Sequence, residues 1–199
     1  MSEGGMARRS RSLSLWLGIA ALVLVLDQAT KFAVLARFRE GEQLPVIPGL
    51  FNLTLWYNPG AAFSFLAEHD GWQRWFFAGI AIVASVFILT LLVRHWQQSL
   101  FSGALALILG GALGNLIDRL LHGKVVDYLL FYQGSWSFPA FNLADSAITL
   151  GATLLILDEI LRIRQSRREA RAAGRSDAQP DYSSKHSSKN PTTNQGAGK

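Results

Sequence analysis

The stretch WFFAGIAIVASVFILTLLV, Trp75 to Val93, contains no charged residue, and its only polar side chains are Ser85 and Thr90. A helix rises about 1.5 Å per residue, so this run covers close to the ~30 Å of a bilayer's hydrocarbon core. An apolar surface of that length, polar on no face, fits a membrane span. Three further runs flank it: about Ser14 to Leu35, about Leu100 to Leu121, and about Asn142 to Ile163. The reading is a membrane α-helical protein with four transmembrane helices.

Composition agrees. Only 17% of the 199 residues are charged, against roughly a quarter in soluble domains. The net charge of +5 does not suggest nucleic acid, because the arginines cluster at the ends of apolar runs. Arg8, Arg9 and Arg11 precede the first run; Arg162, Arg164, Arg167, Arg168, Arg171 and Arg175 follow the last. Basic flanks stay on the cytoplasmic side, which predicts cytoplasmic termini and agrees with an even helix count. The first run could also be read as a cleaved leader, but Asp27, Gln28 and Lys31 stand where small residues should mark the cut, so a retained helix is expected.

On that topology about Ala36–Arg74 and about His122–Phe141 face outward. In the first, Phe51–Tyr57 is rich in β-branched and aromatic residues, and Asn58-Pro59-Gly60 is a turn signal. A small β-rich periplasmic element, about residues 38–70, is predicted between helices 1 and 2. Gly71 to Trp75, with two tryptophans, reads as an interfacial anchor. Residues 1–164 form the predicted membrane domain. The polar residues 165–199 form a predicted disordered cytoplasmic tail.

The chain has no cysteine, and His69, His95, His122 and His186 match no ligand spacing. No metal and no cofactor is expected. Chemistry must come from polar residues in or beside the apolar runs: Asp27, Lys31, Asn115, Asp118, Arg119, Asn142 and Asp145, with Asp127 in the outer loop after the third helix. A charge at mid-bilayer costs about 2.5–3.5 kcal/mol on insertion scales. Most of these residues lie near the outer ends of their helices, as one shared site would require. Asp27 and Lys31 are i, i+4 neighbours, as are Asn115 and Arg119, so each pair shares a helix face.

Plainer readings stand beside this one. Asp27 and Lys31 can be a neutralising ion pair. Arg119 can snorkel to headgroups, and Asp118 can be solvated or paired with Arg119. Asn142 can cap the fourth helix, and Gly110-x-x-x-Gly114 is a close-packing device. Two carboxylates sharing a proton could still do chemistry, because like charges about 3 Å apart cannot both ionise. One then takes a proton from water while the other polarises a peptide carbonyl. Asp127 and Asp145 are candidates, with Phe138-Pro139-Ala140 favouring a turn between them.

Five strings together carry a specific resemblance: Asp27-Gln28-x-x-Lys31; Asn58-Pro59-Gly60-Ala61-Ala62-Phe63-Ser64; Gly110 to Arg119 (GGALGNLIDR); Val125-Val126-Asp127; and Phe141-Asn142-Leu143-Ala144-Asp145-Ser146-Ala147. In this order, over about residues 14–163, the chain resembles the lipoprotein signal peptidases, also called type II signal peptidases. The resemblance implies an aspartic endopeptidase with Asp127 and Asp145 as its catalytic pair. Asn58, Gly60, Asn115, Arg119 and Asn142 would line and order the site, and Asp27 and Lys31 would support it. Implied substrates are diacylglyceryl prolipoproteins, cut just before the lipidated cysteine at the periplasmic face of a bacterial inner membrane. Membrane lipids and the inhibitor globomycin are implied partners, nucleic acid is not, and a monomer is expected. Two rivals remain. A small transporter would need polar groups through the full depth or an inverted repeat; a scaffold pairing through Gly110 and Gly114 would tolerate changes at Asp127 and Asp145.

Overall fold

The computed structural model describes residues 3–60 and 72–177. The chain divides into two compact units, residues 1–158 and 159–199. The first contains α1 (Glu3–Leu35), β1 (Gln43–Ile47), β2 (Phe51–Asn58), α2 (Trp72–His95), α3 (Ser99–His122), β3 (Val125–Gln133), β4 (Trp136–Ser137) and the start of α4 (Leu143–Asp177).

Three of these helices, over Leu13–Leu35, Trp72–His95 and Ser99–His122, are long and apolar enough to cross a membrane. α4 departs from the predicted fourth span in two ways. Its uncharged stretch between Asp145 and Asp158 is only about 18 Å long at helical rise, short of a full hydrocarbon core. It also stays helical to Asp177, beyond the Gln165 at which composition predicts disorder. Arginine, alanine and glutamate, all good helix formers, continue the helix there, and Gln165 bonds Glu169 one turn on (2.9 Å). Residues 178–199 lie outside the described residues.

α3 is the central helix, packed against both α1 and α2. Small residues permit the approach. A Cβ at Gly110 would collide with Val23 and the Ala20 carbonyl of α1, and one at Gly111 with the Ala144 carbonyl of α4. Ala20, Ile88, Leu92, Leu105, Ala106 and Leu109 form a buried cluster among α1, α2 and α3. Leu22, Val25, Phe32, Val83, Val86 and Phe87 stay exposed on α1 and α2, an apolar exterior that suits a lipid surround.

The β-rich element is larger than expected. β1 and β2 come from the connection between α1 and α2; residues 61–70 of the predicted element lie outside the described residues. β3 and β4 come from the connection read as a plain loop, and complete a four-stranded antiparallel sheet in the order β1-β2-β3-β4. The run VVDYLLFYQ of β3 has the β-branched and aromatic content of a strand. β1 is exposed at every residue and contains Pro45, which an edge strand tolerates. Val34, Leu55, Val126 and Tyr128 form a second buried cluster, seating the sheet against the end of α1.

Candidate active site

Strand pairing brings the two candidate aspartates together. β3 pairs with β2 so that Trp56 faces Asp127 and Asn58 faces Val125. On its other side Leu129 bridges Phe141, with Phe141 N–H donating to the Leu129 carbonyl (3.0 Å) and Leu129 N–H to the Phe141 carbonyl (2.8 Å). The chain entering α4 therefore runs antiparallel beside β3, and Asn142 arrives next to Asp127. Asp127 is thus a strand residue, not a loop residue.

Asn142 joins the pair. Its side-chain Nδ2 donates to Asp127 Oδ1 (2.8 Å), and its backbone N–H donates to Asp145 Oδ2 (3.3 Å). Asp145 N–H returns a bond to Asn142 Oδ1 (2.9 Å). This reciprocal arrangement is a capping box, so Asn142 caps α4 while also touching Asp127. The capping reading of Asn142 and its placement in the site hold together. Asn115 Nδ2 donates to the other oxygen of Asp145 (2.8 Å). Asn58 Nδ2 donates to Asp127 Oδ2 (3.0 Å), and Gly60 N–H holds Asn58 through its Oδ1 (2.9 Å). Gly60 needs to be glycine: its φ is +98°, and a Cβ would run into the Phe77 ring.

The electrostatics differ across the pair. Asp127 is 1% exposed; Asp145 is partly exposed. Burial pushes the Asp127 carboxyl from 3.8 up to about 7, and the Asp145 charge pushes the same way; bonds from Asn58 and Asn142, and the more distant Lys31 charge, pull it down. Asp127 also lines a groove of about 550 Å³ with Trp56, Asn58, Leu130, Phe138 and Pro139. The groove therefore has a carboxyl of raised proton affinity at its wall.

The remaining polar residues form a second cluster. Lys31 Nζ lies 2.8 Å from Asp27 and 2.8 Å from Asp118 and donates to Asn115 Oδ1 (3.0 Å). The Asp27–Lys31 pair read from spacing is present. Asp118 is neither solvated nor bonded to Arg119, the two options left open for it; it is buried against Lys31 and accepts from Gln28 Nε2 (3.1 Å). Sequence reasoning missed Gln28, although it lies within the Asp27-Gln28-x-x-Lys31 string. Arg119 bonds the Asn115 carbonyl (3.2 Å) and lies over the Phe77 ring. Ala61 to Ser64, the rest of the predicted turn motif, lie outside the described residues, as does Gly71 of the predicted anchor. Among the described residues no group of three or more potential ligands could hold a metal ion.

The profile of a family described as "Signal peptidase (SPase) II" matches residues 19–161. A lipoprotein signal peptidase of Paraburkholderia phymatum is 56% identical over 156 residues, covering 78% of this chain and 93% of the relative. One of Burkholderia vietnamiensis is 57% identical over 158 residues, covering 79% and 95%. A solved bacterial membrane enzyme structure superposes with a TM-score of 0.65 at 33% identity, over 74% of this chain and 88% of that one.

Proposed function

Because the chain belongs to the signal peptidase II family, aspartic peptidases of bacterial membranes that cleave signal peptides from prolipoproteins, we propose that Asp127 and Asp145 are its catalytic pair. The observation that carries this is Asn142, whose side chain and backbone N–H reach the two carboxylates at 2.8 Å and 3.3 Å. It links them within one hydrogen-bonded frame.

Asp127 is the proton-bearing member, since burial favours its neutral form. It donates to the scissile carbonyl. Asp145, more open to water, takes a proton from the attacking water. The tetrahedral intermediate then collapses as the Asp145 proton passes to the leaving amine and a hydroxyl of the intermediate returns a proton to Asp127.

The substrate is a prolipoprotein carrying diacylglycerol on its cysteine, cut just before that residue. Its acyl chains lie along the exposed apolar faces of the helices, and its backbone enters the groove beside Asp127. Four spans, with α4 the shortest, put both termini in the cytoplasm and the site at the periplasmic leaflet of the inner membrane. The arginine clusters at both ends support that orientation. Asn58, Gly60, Asn115, Arg119 and Asn142 order the site. Globomycin is expected to block it, and a monomer suffices because one chain supplies both carboxylates.

The test is cleavage of a diacylglyceryl prolipoprotein by purified Asp127→Asn and Asp145→Asn, followed on a gel. Both should insert normally and process nothing. Wild-type turnover by both would refute the assignment.

A further inference from the structure

Lys31 holds two buried carboxylates, and each reaches past it to the backbone beside one member of the proposed catalytic pair. Asp118 Oδ2 accepts the N–H of Val126 (2.9 Å), the residue immediately before Asp127. Asp27 Oδ1 accepts the N–H of Ala144 (2.9 Å), the residue immediately before Asp145. The same Asp118 oxygen contacts Lys31 Nζ, whereas Asp27 meets it through its other oxygen, Oδ2, both at 2.8 Å.

We propose that Asp27 and Asp118 are positioning residues that set the spacing of Asp127 and Asp145, with Lys31 as the common counter-charge between them. The proposal rests on the reading of Asp127 and Asp145 as the catalytic pair. An ion pair that merely neutralised buried charge would need no backbone contact. Here both carboxylates make one, at equivalent places in the two catalytic segments.

The surroundings fit a frame that tolerates little displacement. Asp27, Lys31 and Asp118 are each 2% exposed or less. A Cβ at Gly114 would run into the Asp27 carboxylate, and one at Gly111 into the Ala144 carbonyl. The central helix therefore lies against both Asp27 and the start of α4 at glycines. Gln28 Nε2 ties the two arms further, donating to Asp118 Oδ1 (3.1 Å), the Gly114 carbonyl (3.2 Å) and Asp27 Oδ2 (3.3 Å). A separate bond from the Tyr128 hydroxyl to Thr30 Oγ1 (2.8 Å) fixes β3 to α1 just past Asp127. Asn115 joins the frame to the pair, accepting from Lys31 and donating to Asp145. Catalytic groups held this way gain because a misplacement of about 1 Å can cost about 10²-fold in rate.

Two substitutions at one position separate positioning from charge neutralisation. Asp118→Asn keeps an acceptor where Val126 N–H needs it, with Gln28 able to turn its amide, but removes the charge facing Lys31. Asp118→Glu keeps the charge but moves the acceptor by one methylene. The experiment measures kcat and KM of each purified variant on a diacylglyceryl prolipoprotein in detergent. Asp27→Glu repeats the second substitution on the Ala144 arm, where Asn would turn its NH2 group on Lys31. Expected is a kcat within about fivefold of wild type for Asp118→Asn and a loss of about 10²-fold for the Glu variants, with KM unchanged. The reverse order overturns the proposal, as does an Asp118→Asn protein that fails to fold or a change carried by KM. Asp127→Asn and Asp145→Asn run beside them. If these still turn over, the catalytic reading has failed; if they are inactive while the Glu variants keep full kcat, only the positioning role has failed.

Discussion

Two pairs of aspartates lie a few side chains apart, and they are treated in opposite ways. Asp27 and Asp118 share the ammonium of Lys31, at 2.8 Å from each. Asp127 has no ion pair among the described residues; its two oxygens accept only from the neutral amides of Asn58 and Asn142. An ammonium between two carboxylates offsets their charge and commits it to structure. Neutral amides orient a carboxyl without fixing its protonation, so burial and the Asp145 charge can raise its proton affinity. On the proposed assignment, the bonding partner separates scaffold from chemistry; residue type does not.

The largest effect should come from the second pair. Asp127→Asn or Asp145→Asn should lower kcat by about 10²–10⁴-fold, the range for losing a positioned acid or base, and Asp127→Asn should unfold like wild type near pH 5, where the Asp127 carboxyl is itself neutral. A variant that unfolds as readily as it loses activity would erase the distinction between the two pairs. The first pair should respond the other way. Lys31→Met leaves two carboxylates facing each other without a cation and should cost about 3–5 kcal/mol of stability. An unaltered unfolding midpoint would show that the ammonium is not what holds Asp27 and Asp118.

The comparison also has a pH signature. A carboxyl whose pKa is about 7 when folded and about 3.9 when unfolded binds its proton more tightly in the native state. Its stabilising contribution is full below the unfolded value and declines as pH rises, until it is gone above about 7. Asp127→Asn abolishes that titration. Relative to wild type, the variant should therefore gain about 3 kcal/mol between pH 5 and pH 7.5, at about 1.4 kcal/mol per unit over the two units below 7. A stability difference that stays flat across that window would mean Asp127 is ionised throughout. The same titration predicts an activity that falls above about pH 7, where the pair loses its shared proton.

Much of this was legible in the sequence. Three spans could be read to within a few residues from their core of uncharged residues, because a bilayer leaves few alternatives. The Asp27–Lys31 pairing followed from i, i+4 spacing, and the Asn58-Pro59-Gly60 turn from residue type. The partner of Asp118 was not legible, since its neighbour Arg119 was the nearest cation in sequence whereas Lys31 comes from another helix. β3 was missed for a different reason. VVDYLLFYQ carries a strand signal, but its place in a short connection between two helices reads as a loop. That strand fixes the site, since only its pairing with Phe141 sets Asp127 beside Asn142. The extent of α4 was masked by polar composition, which disfavours a packed core but does not prevent a helix.

The smallest effect tests the amides themselves. The bond from Asn58 to Asp127 favours the ionised carboxylate and so pulls its pKa down against burial. Asn58→Ala removes that pull. A hydrogen bond to a charged group contributes about 1.5 kcal/mol, close to one pKa unit, so the alkaline limb of the pH–rate profile should move upward by about one unit. The shift is upward because the neutral form of Asp127 loses less than the ionised form when the donor is removed. Activity near pH 6, where the pair already holds its proton, should fall only by what Asn58 adds to orientation. A limb that moves downward would mean that Asn58 donates elsewhere while substrate is bound, and that the amides around Asp127 do not set its proton affinity.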